Sequence, residues 1–117
     1  MKRDMELVRK VLLGIQDGNP NGPVDGYSEG AIKYHRALVI EALLAQGQVL
    51  NDNTINSEIP AAVILKKLTW EGHDFIDAIE SDANWAKVKD YLKEAGKQLT
   101  LETIKYAVKQ LFGIVAT

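Results

Sequence analysis

The chain has 117 residues, 46% of them hydrophobic and 26% charged, which fits one globular domain and excludes a disordered tail, a collagen-like repeat and a membrane span. Fourteen Lys and Arg stand against sixteen Asp and Glu for a net charge of −2, so a uniformly basic nucleic-acid binder is excluded while a local basic face is not. No cysteine is present, which removes disulfides, thiolate zinc sites and cysteine nucleophiles together.

Asp4 is placed to cap a helix, with a negative oxygen at the positive end of the helix dipole. Met5, Val8, Leu12 and Ile15 then recur at helical spacing, predicting a helix over 4–16. The stretch DGNPNGPVDG (17–26) is dense in Gly, Pro, Asn and Asp and reads as a loop. Its first six residues fit the first half of an EF-hand loop. The twelfth position, however, is Ser28 rather than a bidentate Glu, so turn chemistry accounts for the segment and no metal is expected.

Ser28 caps the second helix, with Tyr27 and Ile32 in staple positions. Ile32, Val39 and Leu43 form its stripe, His35 and Leu38 flank it, and Gly47 is the expected stop, for a helix over 28–46. His35 beside that stripe reads as a packed, hydrogen-bonded core histidine. Gln48–Leu50 and the β-formers Val63, Ile64 and Leu65 predict two short antiparallel strands around a polar tip at 51–58. Three helices follow: one from Trp70 to about Glu80 capped by Thr69, one through Trp85, Val88 and Leu92 capped by Ser81 or Asp82, and a last one capped by Thr100. The stripe of the last is Leu101, Ile104, Val108, Leu111 and Val115, widened by Phe112. Trp70 and Trp85 are expected to anchor helix packing, and His73 reads as a structural or surface residue.

A helix leading straight into a two-stranded ribbon is the layout of a winged helix, in which that helix enters the DNA major groove and the ribbon touches the backbone. The expected fold is therefore α+β: a single winged-helix-like domain over 1–117, with the core and wing in 1–80 and a C-terminal helical extension in 81–117. The loop 17–26 occupies the place of the additional short helix of the ordinary winged helix.

The blocks MKRDMELVRKVLL, GYSEGAIKYHRALVIEALL and LTWEGHDFIDAIESDANWAKVKDYLKEAG resemble an uncharacterised bacterial and phage family, domain of unknown function 2513. That resemblance implies a winged-helix-like core and brings no activity with it. Ile32-x-x-His35-x-x-x-Val39-x-x-Ala42-x-Leu44 also resembles the recognition helix of small bacterial repressors of the arsenic-sensor and multidrug-sensor kind. Leu68-Thr69-x-x-Gly72 resembles the segment that follows their wing. Two positions depart from the repressor pattern. Arg36 stands where an apolar residue is usual. Leu43 stands where a helix-ending Gly is usual, which lets the helix run on to Gly47.

On this layout Ser28, Lys33, Tyr34 and Ala37 are the base-facing residues, because Lys can meet guanine acceptors and Tyr can meet phosphate or base. Glu29 is unfavourable near phosphate. Lys2, Arg3, Arg36, Lys66 and Lys67 are the expected phosphate contacts, and Arg9 and Lys10 extend the basic edge of the first helix. Residues 1–68 hold eight basic and eight acidic side chains and residues 69–117 hold six and eight, so a polyanion face belongs in the first part. No phosphate-cradling loop, metalloprotease helix or nucleophile elbow is present, and neither catalysis nor a cofactor is expected. The function expected is DNA binding in transcriptional or phage-related regulation; the alternative is a protein-interaction adaptor of the same fold. Expected partners are double-stranded DNA and a second copy of the chain through the last helix, with no membrane. MKRDMELVRK holds no apolar run of signal-peptide length, so the cytoplasm is the expected compartment.

Overall fold

Short polar side chains set where the helices begin. The Asp4 carboxylate accepts from the Glu6 and Leu7 amides and starts α1, Met5–Gln16. Ser28 accepts from Ala31 and starts α2, Glu29–Glu41. Two strands follow, β1 Ala45–Leu50 and β2 Ala62–Leu68. The Thr69 hydroxyl accepts from the Gly72 amide at the head of α3, Trp70–Ile79. Ser81 does the same for Asn84 in α4, Asp82–Glu94. Thr100 and Thr103 form a reciprocal capping box on α5, Leu101–Phe112. Each such cap contributes about 1 kcal/mol and depends only on neighbouring residues. The computed structural model describes residues 1–51 and 58–113; the remainder of the tip expected at 51–58, and Val115, lie outside them. Over the described residues the protein is a mixed α+β structure of five helices and one two-stranded antiparallel sheet.

The end of α2 corrects the sequence reading. The helix stops at Glu41, not near Gly47, and Leu43 takes the left-handed conformation at φ 62°. The Leu43 amide returns to the Ile40 carbonyl and the Leu44 amide to the Val39 carbonyl, the paired bonds that close a helix through a left-handed residue. The repressor-like pattern has Gly there; here Leu accepts the strain. Leu43 is 69% exposed while Leu44 is buried, so ending the helix at this point swings Leu44 inward.

β1 and β2 pair from Ala45↔Leu68 to Leu50↔Ala62, with an irregularity between Gln46 and Gly47. Gln46 faces Lys67 and Gly47 faces Leu65, which leaves Lys66 as the extra residue of a bulge. The bulge resets the alternation of β2: Val63, Leu65 and Leu68 are buried, while Ile64, Lys66 and Lys67 are exposed. Strict alternation would have turned Lys67 inward with Val63 and Leu65.

Contacts group the chain into two compact units, Met1–His73 and Asp74–Thr117, with the division inside α3. In the first unit α1 and α2 pack on each other and both pack on β2, and α2 also packs on β1. Leu7, Leu12, Val39, Leu44 and Leu65 are almost fully buried, each adding roughly 1.5–3 kcal/mol relative to exposure. In the second unit α4 packs on α5. Trp85, Val88 and Leu92 are buried from α4, and Ile104, Ala107 and Val108 from α5. Leu111, expected in the α5 stripe, is 38% exposed. Ala107, outside the expected stripe, is buried.

Trp85 is the packing anchor expected of it, but Trp70 is 82% exposed. The reason lies two residues on. A Cβ at Gly72 would overlap the Leu44 carbonyl oxygen, so α3 turns the Gly72 side to the start of β1. Trp70 lies about 200° around the helix from that side and faces away. Thr69 strengthens the junction: its hydroxyl donates to the Leu43 carbonyl at 2.6 Å and its amide to the Leu44 carbonyl at 3.0 Å. The Leu-Thr-x-x-Gly segment is thus a physical clamp between the end of α2 and the start of α3.

Candidate functional site

α2 and the ribbon are the elements on which the sequence places a site. The buried stripe of α2 is Ile32, His35 and Val39, and the opposite side carries Gly30, Ala37 and Glu41 with Lys33 and Tyr34 at its edges. Lys33, Tyr34 and Ala37 are half-buried, so none of them lies inside the protein or stands fully clear of it. Tyr34 turns its ring edge-on to His35 at 5.3 Å between centroids. The Ser28 side chain is exposed, but its oxygen is occupied by the Ala31 amide. A methyl group on Gly30 would sit 3.4 Å from Ile59 Cδ1, so the segment entering β2 already lies against the first turn of α2.

His35 is only 2% exposed, as the sequence indicates, and its two nitrogens tie together different elements. Nε2 accepts from the Asp4 amide and Nδ1 meets the Ala31 carbonyl, both at 2.8 Å. A backbone amide can only donate and a carbonyl can only accept, so the ring is the neutral tautomer with its hydrogen on Nδ1. The side chain therefore sets the angle at which the N-terminus of α1 meets α2.

The cations are not equivalent. Lys2, Arg3, Lys66 and Lys67 are exposed, as phosphate contacts require. Lys10 lies 5.8 Å from the centroid of the Tyr27 ring. Burial, with Asp4 and Glu6 adding to it, raises the Tyr27 phenol above its usual range. Arg9, expected on the basic edge, is buried at 7% exposure, because it falls on the side of α1 that carries Met5, Val8 and Leu12. Arg36, expected on a phosphate, donates through Nη2 to the Gly22 carbonyl, and its Nε is buried without a hydrogen-bond partner among the described residues. Burial lowers its guanidinium from the usual arginine range.

The sequence reading missed Asn21. Its side-chain amide donates to the Leu65 carbonyl at 2.9 Å and accepts from the Leu65 amide at 2.8 Å. One asparagine thus pairs both backbone groups of a β2 residue, as a neighbouring strand would, on the edge opposite β1. The Asn-Pro-Asn-Gly turn around Asn21 was the available signal, but it names no partner forty-four residues away. The same side chain is the fifth position of the EF-hand-like half-loop. Among the described residues no group of three or more His, Cys, Asp or Glu is placed to hold a metal ion.

A family model described as a hypothetical protein, DUF2513, matches residues 2–98. The chain belongs to this family. The match takes in α1, α2, the ribbon, α3 and α4 and stops short of α5, so the α2–ribbon layout lies in the DUF2513 region and α5 lies beyond it. An uncharacterized protein of Haemophilus influenzae is 27% identical over 118 positions, covering 95% of this chain and 95% of the relative. No solved structure matches the chain. No described helix is long and apolar enough to cross a membrane.

Proposed function

We propose that residues 1–73 act as a winged-helix module that binds duplex DNA without catalysis, with α2 toward the groove and the ribbon on the backbone. The observation that carries this reading is the bulge that turns both Lys66 and Lys67 outward on a ribbon entered directly from α2. Lys2 and Arg3 join them as phosphate contacts, and Lys33 and Tyr34 are the side chains nearest the bases. Arg36 takes no phosphate in this scheme, because its Nη2 already serves the Gly22 carbonyl. Equal numbers of acids and bases in residues 1–68 make the affinity modest and dependent on salt. Pairing of two copies through α5 would set two such modules on neighbouring half-sites.

The test is fluorescence anisotropy of a labelled duplex with the full chain at about 50 and about 200 mM salt. Four phosphate contacts give a logarithmic salt slope of about −3 to −4 and a weakening on the order of a hundredfold over that range. The double variant K66E/K67E is expected to flatten the slope by about 2. Absence of binding at the lower salt overturns the proposal.

A second reading is favoured by one feature. Leu43 and Trp70, 69% and 82% exposed, lie in the chain on either side of the Thr69 contact with Leu43, and large exposed apolar side chains of this kind suit a protein contact. Under that reading DNA leaves the chain unaffected at every salt concentration, and Trp70 fluorescence shifts as the protein is concentrated.

A further inference from the structure

The loop after α1, the first turns of α2 and the start of β2 surround a cavity of about 420 Å³, inside the roughly 300–1,000 Å³ typical of small-molecule sites. Val24, Tyr27, Ile32 and Val63 give it apolar walls. Lys33 and Arg36 line it as cations and Glu29 is its single carboxylate, so the lining carries one net positive charge. Lys33 has no ion pair among the described residues. Arg36 has a carbonyl on Nη2 and no ion pair among the described residues. A charge in a partly desolvated place attracts a counter-charge more strongly than one in water. The cavity therefore presents two cations against one carboxylate beside apolar walls, a lining that an anionic ligand with an apolar body complements.

We infer that this cavity binds a small organic monoanion, with its carboxylate toward Lys33 and Arg36 and its apolar body against Val24, Ile32 and Val63. The inference does not rest on DNA binding and is tested on the protein alone, although it draws on the same Lys33 that the proposed groove contact uses. An occupant would also sit between the loop held by Asn21 and the helix carrying Lys33.

The experiment is a titration of the full chain with benzoate, followed by amide shifts in nitrogen–proton NMR spectra, with benzamide as the neutral isostere. Saturating shifts at Gly22, Lys33, Arg36 and Val63 are expected for benzoate, with benzamide about tenfold weaker for loss of the charge-assisted bonds. Lys33→Met is expected to weaken benzoate about tenfold and leave benzamide unchanged, whereas Arg36→Met also frees the loop from its Gly22 contact and is read alongside it. Non-saturating shifts, equal response to the two compounds, or benzoate binding unchanged in Lys33→Met each overturn the inference.

Discussion

Replacing Asn21 by Ala removes two hydrogen bonds at once and leaves the amide and carbonyl of Leu65 without their partner. Leu65 is 2% exposed, yet Asn21 itself is exposed, so the substitution loses little apolar burial and its cost is nearly all hydrogen bonding. Each bond contributes about 1 kcal/mol net, and an orphaned buried group costs about 1–3 kcal/mol. Water reaching the gap left by an exposed side chain keeps the sum near the lower end, at about 2 kcal/mol. For a unit of this size that lowers the melting temperature by roughly 8–16 °C. Asn21→Asp keeps the acceptor for the Leu65 amide but sets a carboxylate oxygen against the Leu65 carbonyl, so at neutral pH it is expected to lose at least as much. Protonation of that acid below about pH 4 restores a donor, and the gap between the Asp and Ala variants then reverses in favour of Asp. Urea and thermal unfolding by circular dichroism give the energies, and hydrogen exchange at the Leu65 amide gives the local effect. An Ala variant within about 0.5 kcal/mol of the parent, with Leu65 still protected, would refute the claim that this one side chain docks the loop on β2.

Three further outcomes follow from the geometry. His35→Ala, which empties a buried ring and breaks its bonds to Asp4 and Ala31, is expected to cost about 3 kcal/mol; a loss below about 1 kcal/mol in urea unfolding counts against its bridging role. Leu43→Gly relieves roughly 1–2 kcal/mol of left-handed strain against roughly 0.5–1 kcal/mol of added chain entropy. It is expected to be neutral to about 1 kcal/mol stabilising, whereas Leu43→Val loses about 1 kcal/mol; the order Gly, Leu, Val in melting temperature is the check. The Tyr27 phenol, raised above 10.0 first by burial and then by Asp4 and Glu6, contributes stability that is complete below that value and lost as pH climbs through the folded one. Stability is expected to drop in the alkaline range and to drop less in Tyr27→Phe, as measured by unfolding across a pH series with ultraviolet titration of the phenols.

The caps at Asp4, Ser28, Thr69, Ser81 and Thr100, the buried stripe of α1 and the antiparallel ribbon were all legible in the sequence, because each depends on residues within a few positions or on a repeating pattern. His35 was legible as a core residue but not as a link to Asp4, since its acceptor role depends on an amide thirty-one positions away. The candidate face was legible as Lys33, Tyr34 and Ala37 on one side of α2. That Arg36 would serve Gly22 and Arg9 would be buried was not, because helical spacing says which side a residue takes and not what covers that side.

The sequence by itself determined where helices start and that a ribbon follows α2, for caps and strand propensities act through local hydrogen bonds and sterics. The tertiary structure decided where α2 stops, because burying Leu44 and seating Gly72 on its carbonyl outweigh the strain of a left-handed Leu43 and the missing glycine. It also decided that Trp70 faces water, that a bulge turns Lys66 and Lys67 outward together, and that Asn21 stands in for a strand. Each of these is settled by a contact between segments far apart in the chain, where backbone groups must be paired and side chains must fit whatever the local preference.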